Sequence, residues 1–227
     1  GEDAVFEYIY KFVSRDKIQP AGKGKTAAQA NATLLDHGTL FVARFDADGS
    51  GRWIPLVHAA TLGQGPLTAA NGFTDQGEVL IKARQASDLL GATKMDRPEW
   101  LAIHPTSGWV YCTLTNNSQR GIPGKAGVDA ANPRAQNRMG HIIRWQEDGG
   151  FAGERFQWNH FVLAGDTGNE RAEAKGNVQG DAFACPDGLW TDARGVLWVQ
   201  CDMSTSAMGK GDLARLGNNA MLAADPR

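Results

Sequence analysis

The sequence has few cysteines, almost no net charge and no long apolar run, and each shortage narrows what the chain can be. Its three cysteines (Cys112, Cys185, Cys201) are an odd number without C-x-x-C spacing. That pattern excludes a disulfide framework and a zinc knuckle. Lys plus Arg number 23 against 25 for Asp plus Glu, a formal charge of −2. With no strong field of one sign, neither nucleic acid nor a membrane surface is expected as a partner. No apolar stretch reaches the roughly 18 residues a membrane helix needs, and no signal-peptide pattern opens the chain. G-x-S-x-G, P-loop and G-x-G-x-x-G motifs are missing, and His37, His58, His104, His141 and His160 form no H-x-H or H-E-x-x-H pair. What is present is 227 residues, 42% hydrophobic, with 28 glycines and seven tryptophans. Such a chain buries a sizeable core and suits short strands, tight turns and large aromatic packing.

One internal repeat organises the reading. Pro98-Glu99-Trp100-Leu101-Ala102-Ile103-His104, followed by Gly108-Trp109-Val110-Tyr111-Cys112, aligns with Pro186-Asp187-Gly188-Leu189-Trp190-Thr191-Asp192, followed by Gly195-Val196-Leu197-Trp198-Val199. Both copies read proline, carboxylate, apolar strand, His or Asp, a turn ending in Gly, then a second apolar-aromatic strand. They lie further apart than the roughly 40–50 residues of ordinary propeller repeats, so each unit carries extra loop or helix. After the first copy, residues 140–145 and 156–163 complete a four-stranded unit across a Glu147-Asp148-Gly149-Gly150 turn. Upstream strands are expected at 6–13, 38–45 and 52–57. YIYKF, FVARF and HIIRW share a basic residue followed by an aromatic, as sister strands would.

A helix is expected over 75–91. Asp75 and Glu78 give a capping-box-like start, Val79, Ala83, Ala86 and Leu90 an apolar stripe, and Gly91 a stop. Residues 16–33 and 117–139 read as long loops, functional or simply inserted. The fold class expected is therefore all-β: a β-propeller segment of about two and a half four-stranded blades with one short inserted helix. Its parts are an incomplete blade over 1–60, the helix over 75–91, a complete blade over 96–164 and the start of the next over 181–203. Such an arc exposes blade edges, so the chain reads as part of a larger propeller, with further blades or a second copy as the partner covering those edges.

The repeat also points to chemistry. Glu99 and Asp187 hold the same repeat position at the start of predicted inner strands, so they should converge toward a common axis. Converging carboxylates repel unless a cation lies between them, and their oxygens suit Ca²⁺; a carboxylate after proline also simply caps a turn. Arg97, two residues before Glu99 on an extended segment, shares its face. Its guanidinium can orient a phosphate or carboxylate, or pair with Glu99. Asp46 to Gly51 starts like a calcium loop, but the twelfth position is Val57 rather than Glu, so a hairpin turn is expected. Cys185 precedes the Pro186-Asp187 step and either approaches the channel or, as expected here, is a small buried residue. Asn116-Asn117 and Asn132 to Asn137 offer amide oxygens that suit either calcium or Asx turns.

The runs FEYIYKFVSRDKI, LLDHGTLFVARFDADGSGRWIPL, ATKMDRPEW, YCTLTNNSQRG, NPRAQNRMGHIIRW and CPDGLWTDARGVLWVQCD resemble the PhoX family of bacterial alkaline phosphatases over nearly the whole chain. The resemblance implies a six-bladed propeller exported by the twin-arginine route, hence periplasmic or secreted, that hydrolyses phosphate monoesters with calcium and iron. Carried across, the Arg-Pro-Glu step implies that Arg97 contacts phosphate and Glu99 ligates Ca²⁺; the Pro-Asp-Gly step implies that Asp187 is a further calcium ligand. The family's iron (Fe³⁺) ligands, a cysteine and glutamates, are expected upstream of the region matching Gly1, and none of the three cysteines here matches that cysteine. The isolated chain is then expected to be inactive. The competing class is a non-catalytic, calcium-stabilised propeller module for binding or scaffolding, which the proline-carboxylate strand start suits as well.

Overall fold

The computed structural model describes residues 1–22, 24–59 and 66–226. The described residues are mostly sheet with few helices. The strands are β1 (Val5–Glu7), β2 (Tyr10–Ser14), β3 (Gly38–Phe45), β4 (Ser50–Pro55), β5 (Met95–Asp96) and β6 (Pro98–Ile103). They continue as β7 (Val110–Leu114), β8 (His141–Glu147), β9 (Arg155–Leu163), β10 (Pro186–Thr191), β11 (Leu197–Cys201) and β12 (Met221–Ala224). Three α-helices are α1 (Ala27–Ala30), α2 (Gln76–Ile81) and α3 (Ala83–Leu90). The chain divides into two compact units, one of residues 1–9, 45–52 and 93–227, the other of 10–44 and 53–92.

In the first unit, β6, β7, β8 and β9 form an antiparallel meander, and Ser50–Arg52 pair with β9 at Arg155–Gln157. Strands β10, β11 and β12 form a second antiparallel sheet, and β1 pairs with β5. Alternation puts Leu189, Leu197 and Val199 of the second sheet into one core with Ala102, Tyr111 and Ile142 of the first. At the Gly49 turn the aromatics take over: Phe45 meets Phe156, Trp158 and Trp145 edge-on, with ring centres 5.2, 5.4 and 6.1 Å apart. Such pairs contribute about 0.5–1.5 kcal/mol each beyond their buried area.

The second unit holds a β2–β3 hairpin pairing, extended by the end of β4, and the helices. Asp75 caps α2 by accepting the Glu78 N–H at 2.9 Å, and Gly91, at φ +68°, ends α3. Val79, Ala86 and Ser87 face inward.

Several elements differ from expectation for local reasons. The single strand over 6–13 is two, because the buried Tyr8 and Ile9 separate β1, paired with β5, from β2, paired with β3. The helix over 75–91 is two, broken at Lys82 (ψ 33°). Glu78 closes no box onto Asp75; its carboxylate accepts the Thr74 N–H at 2.8 Å and Lys82 at 3.0 Å. The unit starting at 181 carries a third strand, β12, and β9 is not the outer edge of its sheet. Asp46 to Gly51 is the β3–β4 hairpin turn, with Asp48 Oδ1 accepting the Ser50 N–H and hydroxyl at 2.9 and 2.6 Å.

Candidate functional site

The repeat seen in sequence is also a repeat of backbone geometry. Arg97 and Cys185, each just before the proline that opens β6 or β10, lie at φ +57° and +52°. A side-chain-bearing residue in the left-handed region costs of order 1–3 kcal/mol, and a following proline restricts it further. Both are over-determined by hydrogen bonds. The Thr115 N–H donates to the Arg97 carbonyl at 3.1 Å; the Asp202 N–H donates to the Cys185 carbonyl at 2.8 Å, and the Cys185 N–H to Met139 at 2.7 Å. Beyond each proline the ladder is irregular at the same place, between Pro98 and Leu101 and between Pro186 and Leu189. Such bulges re-aim side chains. Here the residues inside them are Glu99 and Asp187.

The two bulges are tied together. Thr115 Oγ1 donates to the Pro186 carbonyl at 3.0 Å and Thr113 Oγ1 to the Asp187 carbonyl at 2.7 Å. Glu99 and Asp187 are thereby close enough to repel. The Glu99 carboxyl is pushed up to about 8, first by burial, then by Asp3 within hydrogen-bonding reach and by the charges of Asp187 and Asp3; Arg97 opposes this. Asp187 is raised by burial, then by Asp202 and Asp3. Its buried Oδ1 has no hydrogen-bond partner among the described residues.

Arg97 lies in the middle of these acids. Its Nε and Nη2 each approach Asp3 Oδ1 at 2.8 Å, Nη2 lies 3.4 Å from Glu99 Oε1, and Nη1 donates to Asn116 Oδ1 at 3.2 Å. Asn116 in turn donates through Nδ2 to Cys185 Sγ at 3.4 Å. The structure thus brings Arg97, Glu99 and Asp187 into one cluster, and adds Asp3, Asn116 and Asp202. A signal for two of these additions was available. In an antiparallel hairpin the residue after the second strand returns to the start of the first, which is where Asn116 and Asp202 stand.

Next to Arg97 along the chain, Asp96 gathers a buried network whose pairing no sequence motif announces. Asp96, wholly buried, accepts from Arg120 Nε (2.8 Å), Asn117 Nδ2 (2.9 Å) and Asn137 Nδ2 (3.0 Å). Arg120, equally buried, also donates to the Lys94 carbonyl at 2.7 Å and stacks over Phe6 at 5.1 Å. The Asn117 and Asn137 side-chain oxygens accept the Gln119 and Gly140 N–H groups, so they serve loop structure. His141 and His160 share the Ala131 carbonyl at 2.8 and 3.2 Å, and burial lowers both pKa values.

As a test for metal, the orphaned Asp187 oxygen and the two raised acids fit a hard cation with oxygen ligands. Iron fits poorly. Burial raises all three thiols, Cys112 to about 12, away from the thiolate form that binds metal. Among the described residues no three His, Cys, Asp or Glu gather to hold an ion.

The family model described as alkaline phosphatase PhoX matches residues 1–227. Among curated proteins there is no match. Among solved structures, Pseudomonas fluorescens PhoX in complex with vanadate, a transition-state analogue, is 46% identical with a TM-score of 0.88. The match covers 100% of this chain and 39% of that one, so the chain spans about two-fifths of its relative's length.

Proposed function

We propose, since the chain belongs to the PhoX family of alkaline phosphatases, that Arg97, Glu99 and Asp187 are part of a centre that hydrolyses phosphate monoesters with bound Ca²⁺. The observation that carries this reading is the pair of acids on equivalent bulges, electrostatically coupled beside one arginine. Glu99 and Asp187 hold the cation through carboxylate oxygens, and Asp187 Oδ1 gains the partner it lacks. Calcium bound there supplies positive charge against the phosphate oxygens. Arg97 orients the phosphate through the forked N–H groups it now turns to Asp3 and Glu99, and stabilises charge on the transferring group. Asn116 Oδ1 accepts from Nη1 of that guanidinium and helps to hold it.

In this reading the sheets β6–β9 and β10–β12 are blades of a propeller, and the iron of the family's centre is held by residues other than these cysteines. The reading carries with it a periplasmic or secreted location. The 227-residue chain alone turns over little or no substrate, because only part of the ligand set is here.

The test is a chimera in which this chain replaces the matching residues of Pseudomonas fluorescens PhoX. With Ca²⁺ it is expected to hydrolyse p-nitrophenyl phosphate. A folded chimera that binds Ca²⁺ but turns nothing over would favour the binding or scaffold module instead.

A further inference from the structure

A cleft of about 460 Å³ adjoins the cluster, with Asn116 and Cys185 in its wall, and Arg138, Ser204, Ser206 and Lys210 around it. That volume is within the range of about 300–1,000 Å³ usual for small-molecule sites. Asn116 Oδ1 accepts from the Arg97 guanidinium, and Asn116 Nδ2 donates to Cys185 Sγ, so the cleft wall begins at the side chain that holds the phosphate-orienting group. Its charge is positive and unbalanced. Arg138 is exposed, and its guanidinium has no ion pair or hydrogen bond among the described residues. Lys210 Nζ reaches only a neutral backbone carbonyl, that of Ser206, at 2.9 Å. Asp212, the acid on the lining, is already engaged by Arg171, whose Nη2 and Nε lie 2.6 and 2.9 Å from its Oδ2. The Ser204 and Ser206 hydroxyls lie 2.8 Å apart and add donors.

Two cations without an anion, beside hydroxyl donors, are the chemistry that recognises phosphate, the arginine by its planar fork and the lysine as a point charge. We propose that this cleft receives the alcohol portion of a phosphate monoester that carries a second phosphate, and that Arg138 and Lys210 hold that second group. The inference rests on the phosphatase reading for the placing of the first phosphate at Arg97, and it makes bisphosphorylated small molecules the preferred substrates among phosphate monoesters.

The experiment is calorimetric titration of the Ca²⁺-loaded chimera with fructose 1,6-bisphosphate, fructose 6-phosphate and inorganic phosphate. The bisphosphate is expected to bind at least about tenfold tighter than either monoanchored probe. Arg138→Ala and Lys210→Ala, each confirmed as folded by circular dichroism, are each expected to remove most of that preference. Equal affinities, undetectable bisphosphate binding, or a preference that survives both substitutions would overturn the proposal. Turnover is a separate readout. An inactive chimera alongside an intact bisphosphate preference would remove the phosphatase reading and leave the pocket.

Discussion

Thr113 Oγ1 stands between the two acids' backbones, accepting the Trp100 N–H at 3.0 Å and donating to the Asp187 carbonyl at 2.7 Å. One hydroxyl therefore locks the bulge that carries Glu99 to the bulge that carries Asp187. Thr113→Val keeps the shape and removes both bonds from a buried position. It is expected to cost about 1–3 kcal/mol in urea denaturation, and to weaken Ca²⁺ binding because the acids are no longer held in register. A variant as stable as the parent would show that the hydroxyl does not join the two sheets.

Asp96→Ala takes from the buried Arg120 guanidinium its nearer carboxylate, 2.8 Å away, and leaves only the half-exposed Asp129 at 3.4 Å. Breaking a buried pair from one side costs about 3–5 kcal/mol. The midpoint of chemical denaturation is expected to fall accordingly; an unchanged midpoint would mean the network is not structural.

The acids in the cluster make a pH prediction whose sign is fixed. Glu99 has a folded pKa of about 8 against an ordinary 4.5, so between those values the folded chain binds more protons than the unfolded one. Its contribution is fully present at low pH and is lost as pH rises through that window. Without metal, the wild type should lose more melting temperature than Glu99→Gln between pH 5 and pH 9. Added Ca²⁺ should raise the wild-type melting temperature more at pH 9 than at pH 5. Parallel curves for the two proteins would contradict the coupling.

Arg97→Ala in the active chimera removes the one cationic side chain that touches both Asp3 and Glu99. If it stabilises the transferring phosphate, kcat should fall about 10²–10³-fold, the loss typical of a single charge-stabilising donor. The melting temperature should change by only a few degrees, since the guanidinium is partly exposed and its ion pairs are screened. A large loss of stability with retained kcat would make Arg97 a structural salt-bridge partner.

Much of this was legible in the sequence because it is local. Strand β3, a short apolar-aromatic run, and the Asp46–Gly51 turn follow from neighbouring residues, and the repeat singled out Glu99 and Asp187 because strand starts recur with their proline. What was illegible depends on distant partners. Asp96 looks like any acid until Asn117, Arg120 and Asn137 converge on it from a loop far along the chain. The left-handed turns at Arg97 and Cys185 have no glycine to announce them, and a following proline argues against them. Strand β12, Met-Leu-Ala-Ala, lacks the β-branched and aromatic residues that mark strands; it forms because β11 offers it an edge.

The most direct measurement is calorimetric titration of the metal-free chimera with Ca²⁺, alongside the same chimera carrying Glu99→Gln or Asp187→Asn. Binding with Kd at or below about 1 mM, weakened at least tenfold by either substitution, is the expected result. No binding heat, or a Kd that neither substitution changes, would mean that these two carboxylates share no cation.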